Sequence, residues 1–179
     1  VVGVLELLRD GPNFGGVLGL HYRGRLGSKL GGTLVDCVNQ LAPNIADLDS
    51  ELPSQALELL DMKQYRAHNW HLWTGDPERG YASVQTSLGC QFACAFCCIQ
   101  APFGGANPRM RYWSPENVIN QITELVEREI WNLKIPDEMF CFNRAHVKAI
   151  CNGLIGSGLG DRLNMWAYAR VDTVKDEEM

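Results

Sequence analysis

The second half of this 179-residue chain alternates strand-like and helical spacing three times, and that alternation limits the folds open to it. Residues 81–87, with Val84 at their centre, have the short apolar run of a strand. Ser114 then stands as an N-cap with Pro115 at the first helical position, and Val118, Ile122, Leu125, Val126 and Ile130 recur at helical spacing. A second strand is predicted over 131–136, where Leu133 and Ile135 alternate, and Asn143 caps a second helix with Val147, Ile150, Cys151 and Leu154 on its inner face. Gly156-Ser157-Gly158 ends that helix, 163–169 reads as a third strand, and Thr173-Val174-Lys175-Asp176 resembles a capping box opening a third helix, with Glu177 and Glu178 in its first turn. Strand followed by helix, repeated, means parallel β/α units joined by right-handed crossovers.

In such folds the working residues sit in the loops after the C-terminal ends of the strands. The loop after the first strand holds Cys90-Gln91-Phe92-Ala93-Cys94-Ala95-Phe96-Cys97-Cys98. Structural zinc prefers four protein ligands, commonly two close pairs far apart in sequence, and no second pair follows here. A ferredoxin needs a fourth thiolate. Three thiols at this spacing instead hold three irons of a 4Fe–4S cube and leave the fourth iron open, which is a catalytic arrangement. Asp137 and Glu138 follow the second strand, and Arg170 and Asp172 the third, so all three clusters fall on one face.

The spacing of Cys90, Cys94 and Cys97, with Phe96 just before the third thiol, resembles the signature of the radical S-adenosylmethionine enzymes. The resemblance implies that the open iron chelates S-adenosylmethionine and that an electron splits its sulfonium to a 5′-deoxyadenosyl radical, the protein supplying position and shelter. It implies an incomplete β/α barrel, of which this chain holds roughly the first three units. It also implies that the backbone at Phe96 approaches the adenine, against a plainer reading of Phe96 as core packing. Many members carry Gly-Gly-Glu after the second strand, whose carboxylate holds the cofactor's amino group. Here Pro136-Asp137-Glu138 takes that place without the glycines, so Glu138 is the first choice and Asp137 the second. Arg170 is expected to pair with the cofactor carboxylate or substrate, or else with Asp172.

Outside the cysteines, Arg-Met-Arg-Tyr-Trp-Ser-Pro-Glu-Asn-Val, Asp-Glu-Met-Phe, Trp-Ala-Tyr-Ala-Arg-Val-Asp and Ala-Asp-Leu-Asp-Ser-Glu-Leu-Pro resemble the branch that includes the anaerobic magnesium-protoporphyrin ester cyclase. Members carry an N-terminal cobalamin-binding domain, so the resemblance implies cobalamin held outside this chain, a small-molecule substrate, and an electron donor such as flavodoxin or ferredoxin. Their reactions include methyl transfer, cyclisation and rearrangement. An alternative is a methylthiotransferase acting on RNA or protein without cobalamin, although those carry a cysteine-bearing N-terminal domain and only Cys37 precedes the loop here. A non-catalytic iron–sulfur or zinc module would need a fourth ligand.

The first half of the chain is read as what leads into this barrel. Val1, Val4, Leu5 and Leu8 share a helical face ended by Asp10-Gly11-Pro12, so 1–11 reads as the last helix of a cobalamin-binding domain, 12–80 as a connector and 81–179 as the barrel half. Both ends read as cut from a longer protein. A hairpin-like linker is expected over 14–32, an acidic connector at 47–51, and a short helix over 55–62 capped by Ser54 with Ala56, Leu59 and Leu60 inward. Tyr65, Trp70 and Trp73 are expected to pack the connector, with His68 and His71 beside them in a packing rather than a metal role. Gly104, Gly105, Asn107 and Pro108 mark a further loop, after which Arg109 and Arg111 are candidates for substrate contact. Cys37, Cys141 and Cys151 read as buried thiols, Cys98 as a bystander, and His146 carries no signal.

Composition bounds the partners. A net charge of −5 offers no general electrostatic grip on nucleic acid. No apolar run reaches membrane-spanning length and no signal peptide is visible. Seven cysteines, four of them in one loop, make a poor disulfide framework, and thiols destined for iron must stay reduced, which implies the cytoplasm.

Overall fold

A computed structural model of the chain describes residues 14–26, 32–52, 54–66, 80–99 and 109–174. The helix expected over 1–11, the residues Trp70, Trp73, His68 and His71, the loop glycines 104 and 105, and the residues after Val174 lie outside these. The chain forms two compact units, 1–44 and 45–179.

The described residues of the first unit centre on a pair of antiparallel strands. Strand β1 (His21–Leu26) pairs antiparallel with β2 (Thr33–Val38), Tyr22 opposite Cys37 and Gly24 opposite Val35. The hairpin thus runs six residues past the expected end of the linker. Its base is tied by Asn39, whose Nδ2 donates to the carbonyls of Phe14 (2.6 Å) and Val17 (2.8 Å). Phe14 leans on Tyr22 with ring centroids 5.3 Å apart. Arg23 pairs with Asp36 across the strands at 3.0 Å, but both side chains are mostly exposed, so the pair contributes ~0.5 kcal/mol at best.

The second unit is mixed α/β with a parallel sheet. In chain order it holds α1 (Leu48–Glu51), β3 (Gly80–Ser83), β4 (Ser87–Leu88), β5 (Arg111–Tyr112), α2 (Pro115–Glu127), β6 (Ile130–Ile135), α3 (Arg144–Gly156) and β7 (Asn164–Ala167). Strands β3, β6 and β7 form one parallel sheet in the order β3-β6-β7, Ala82 beside Leu133 and Leu133 beside Met165. The strands and the first two helices of the alternation are therefore present, with β3 and β7 shorter than expected and β6 of the expected length, while the third helix lies outside the described residues.

The caps explain where the helices begin and end. Ser114 Oγ accepts from Asn117 N–H at 3.1 Å, with Pro115 filling a position whose N–H has no helical partner. Asn143 Oδ1 accepts from His146 N–H at 3.2 Å. At the end of α3, Gly158 takes φ +71°, and the N–H groups of Leu159 and Gly158 bond the carbonyls of Leu154 and Ile155 at 2.9 Å each, a Schellman closure. The α2–β6 link is tighter still. Glu129 occupies the left-handed region at φ +63°, a place usually held by glycine, and turns the chain so that Ile130 opens β6 rather than continuing α2.

One core unites these elements. Val118, Ile122 and Leu125 of α2 meet Val147, Ile150 and Leu154 of α3 over Ala82, Leu133 and Ile135 of the sheet. The helices approach closely where Gly153 lies against Ile119, a contact with no room for a Cβ unless the isoleucine shifts. Cys151, expected on the inner face, is exposed; the buried stripe runs through 146, 147, 150 and 154, and residue 151 lies about 40° beyond its edge at Val147. His146 takes a place in that stripe.

Residues 45–66 belong to this unit. Asp47 caps α1 by accepting from Asp49 and Ser50 N–H, and Glu51 Oε1 accepts in return from Asp47 N–H at 3.1 Å. The helix expected over 55–62 is instead two 3₁₀ turns, Leu57–Leu59 and Met62–Gln64. At three residues per turn, Leu57 points into the core, while Ala56, Leu59 and Leu60 are exposed. Gln55 Nε2 donates to the Ser83 carbonyl (2.7 Å) and Tyr65 accepts from Tyr81 N–H (3.1 Å), which shields the outer edge of β3. No described helix is long and apolar enough to cross a membrane.

Candidate active site at the C-terminal edge of the sheet

Parallel strands put their C-terminal ends on one edge, and here that edge gathers three loops. After β3, Val84 N–H still bonds the Lys134 carbonyl of β6 at 2.9 Å. The chain then leaves the ladder and pairs β4 with β5, Ser87 opposite Tyr112 and Leu88 opposite Arg111. Gly89 makes the next turn at φ +95°, where a Cβ would meet the Arg109 carbonyl oxygen at 3.2 Å, so the chain enters the cysteine loop through a position that only glycine fills without strain. Cys90 is buried, Cys94 half-buried, and Cys97 and Cys98 are exposed. Cys97 N–H donates to the Cys94 carbonyl at 3.0 Å, closing a turn between the second and third thiols.

The exit of β7 supplies Arg170. Its Nε and Nη2 grip Asp172 at 2.9 and 2.6 Å, and its Nη1 lies 3.8 Å from Cys94 Sγ. Its guanidinium carbon stands 4.1 Å from the centroid of the Phe92 ring, and Phe92 meets Phe142 edge-on at 5.9 Å. The bidentate bond to Asp172 pushes the guanidinium pKa further up, and the Cys94 and Cys90 thiols act in the same direction. The arginine is therefore a cation held by Asp172 against the second of the three thiols, Cys94.

The exit of β6 supplies the two acids, and they differ. Asp137 is wholly buried and accepts from Thr86 N–H, Thr86 Oγ1 and Ser87 Oγ at 2.9, 2.6 and 2.7 Å. Glu138 is half-buried, and its Oε2 is shut off from solvent with no hydrogen-bond partner among the described residues. Phe96 is 93% exposed, so its ring takes no part in the core. Arg111 donates from Nη1 to the Ile45 carbonyl and serves the fold. Arg109, with Gln91, Tyr112, Phe142 and Arg144, lines a cleft of about 600 Å³ beside the cysteine loop. A larger cavity of about 710 Å³ lies at the opposite end of the strands, by Gly80 and Ile130, away from the thiols.

All seven cysteines are free. Cys37 and Cys141 are half-buried rather than buried, and burial, with Cys151 adding to it, pushes the Cys141 thiol pKa up, away from reactive thiolate. Among the described residues no three His, Cys, Asp or Glu side chains stand as a ready-made metal-holding group. The donor chemistry nonetheless fits an iron–sulfur cluster: Cys90, Cys94 and Cys97 share one loop and none is in a disulfide, and Arg170 is at hand to offset the negative charge that thiolate ligation brings.

His146 adds a buried imidazole to this region. It is buried on the first turn of α3, its ring 4.9 Å from that of Tyr112, with Nε2 lacking a partner among the described residues. Its one-turn offset from Ile150 was the sequence signal available for that burial. Burial pushes its imidazole below the ordinary value of 6.5, while the Asp137 carboxylate and the Thr86 backbone pull upward without cancelling the effect. Burial, then Asp137, also pushes the Tyr112 phenol up. With a depressed folded-state pKa, the folded protein binds its proton at lower pH than the unfolded chain. The stability that neutral His146 brings is complete above about pH 6.5 and declines as pH falls through that value towards the folded one. His146→Gln is expected to flatten this decline, measured as urea midpoints between about pH 8 and about pH 5.5. Equal slopes for the two proteins would remove His146 from the account.

No protein-family model matches the chain. It is 28% identical over 177 residues to an uncharacterized methyltransferase from Pyrococcus horikoshii, a match covering 97% of this chain and 33% of that protein. The chain thus spans about a third of the length of that curated relative. Among solved structures, the radical S-adenosylmethionine methyltransferase TsrM from Kitasatospora setae, with cobalamin and a 4Fe–4S cluster bound, aligns with a TM-score of 0.44 and 21% identity over 51% of this chain and 18% of that one.

Proposed function

We propose that this chain is part of a radical S-adenosylmethionine methyltransferase, and that its parallel sheet is the opening portion of a β/α barrel. The observation that carries the reading is the set of three free thiols, Cys90, Cys94 and Cys97, on the loop leaving the first strand of a parallel sheet, with Arg170 arriving beside them from the third. The similarity to the Pyrococcus methyltransferase supports methyl transfer among the reactions open to the family.

Cys90, Cys94 and Cys97 would hold a 4Fe–4S cluster, which when loaded supplies one-electron cleavage of S-adenosylmethionine. Glu138 would accept a hydrogen bond from the cofactor's amino group through Oε2, the buried oxygen that lacks a donor in the described chain. Arg170, locked by Asp172 and stacked on Phe92, would hold positive charge against the thiolates. The exposed ring of Phe96 leaves its backbone to face the adenine. Cobalamin would be held by a domain outside this chain, a small molecule would be the substrate, and a flavodoxin or ferredoxin would deliver the electron, in the cytoplasm.

The test is electron paramagnetic resonance of the anaerobically reconstituted, reduced chain, with and without S-adenosylmethionine. A cubane signal that changes on adding the cofactor is the expected result. Zinc uptake with no iron signal would end the radical reading.

A further inference from the structure

We infer that Asp137 is a positioning residue that fixes the root of the cysteine loop, and that of the two adjacent acids only Glu138 faces the cofactor. This rests on the cluster reading above. After Val84 the chain abandons the sheet ladder, so Thr86 and Ser87 enter the interior carrying a backbone N–H and two hydroxyls that β6 cannot satisfy. Thr86 and Ser87 are 0% and 1% exposed, and water does not reach them. Buried donors need acceptors. Asp137, also 0% exposed, takes all three, the Thr86 N–H on Oδ1 and both hydroxyls on Oδ2.

The same two residues are held from their other side by β5. Trp113 N–H donates to the Thr86 carbonyl at 3.1 Å, and Ser87 pairs with Tyr112. Thr86 and Ser87 are thus clamped between β5 and the exit of β6. The glycine turn at Gly89 follows, and Cys90, the one buried thiol, comes directly after it. Between Asp137 and the first cluster thiol there is only this short, pinned segment. Asp137 commits both oxygens to the loop, whereas Glu138 Oε2, one residue on, commits to nothing described. Asp137 is the second residue past the end of β6, and Glu138 begins the turn that follows, so the two acids leave the sheet in different surroundings.

Groups that orient metal ligands without touching the metal typically alter affinity 10- to 100-fold when removed. The test is resistance of the reconstituted cluster to a ferrous chelator in the whole chain, with the resonance response to S-adenosylmethionine read on the clusters that remain. Asp137→Asn and Thr86→Val are each expected to lose the cluster at about tenfold lower chelator concentration. Thr86→Ser, which keeps the hydroxyl, is expected to match the parent, and the surviving clusters in every variant are expected to respond to the cofactor as the parent does. Parental resistance in Asp137→Asn together with a lost cofactor response would overturn the inference and make Asp137 a cofactor contact. If Asp137→Asn does not fold, the Thr86 pair decides, and equal lability of its two members overturns the inference. A parent chain that loads no iron overturns the cluster reading and this inference with it.

Discussion

Cys94→Ala is expected to abolish cluster assembly, whereas Cys98→Ala leaves it at the parental level. The two thiols lie on the same loop, but their surroundings differ. Cys94 is half-buried, its carbonyl closes the turn to Cys97, and its sulfur faces the Arg170 guanidinium at 3.8 Å. Cys98 is exposed and lies outside the spacing of three and then two intervening residues. A cluster with only three protein thiolates has none to spare, so losing one removes the site rather than weakening it. Iron and sulfide per chain after anaerobic reconstitution, with the resonance signal, report the result. Full loading of the Cys94→Ala chain would sink the ligand assignment.

The second large effect falls on the core beneath the site. Ile122→Ala is expected to lower stability by about 2–5 kcal/mol, the range for truncating a large aliphatic side chain in a packed interior. Ile122 is 0% exposed in the middle of α2, where Val118 and Leu125 flank it within the same cluster as Ile150 and Leu133. Against a total stability of about 5–15 kcal/mol such a loss is a large share. Ile155→Ala on α3 is the control. That side chain is 67% exposed, and its truncation is expected to stay within about 0.5 kcal/mol. Urea unfolding followed by circular dichroism separates the two, and similar midpoints would mean that α2 does not pack as described.

How far the sequence foretold this arrangement varied with the kind of signal involved. Capping residues were legible because one side chain and one backbone group decide them locally: Ser114, Pro115, Asn143 and Gly158 act as their types require. The three parallel strands were legible because period and punctuation agreed. The 3₁₀ turns at 57–64 were not, because a segment too short to nucleate a helix by itself takes its conformation from the surface it packs on, here the edge of β3. Residues 47–51 read as an acidic connector, although Asp47 caps a helical turn there and Glu51 accepts from the Asp47 N–H. The β4–β5 pair, two residues to a strand, leaves too little pattern to detect. In the site, the loop that carries the thiols followed from topology, and so did the arrival of Asp137, Glu138 and Arg170 at the same edge. The division of labour between the two acids did not follow, since neighbouring carboxylates look alike until the partners of each are known.

The clamp on Thr86 also sets an order of events. Its bond to Asp137 closes a span of 51 residues, and bringing the ends of a flexible segment of that length together costs about 3.5 kcal/mol of chain entropy. β3 and β6 are joined across the same interval, which contains the whole of α2. Contacts so far apart form late in folding, after local helices have shortened the distance. During synthesis the segment carrying the thiols therefore leaves the ribosome well before the strand that shapes it. On the iron–sulfur reading proposed above, iron arriving before β6 is complete would meet an unshaped run of thiols rather than a socket.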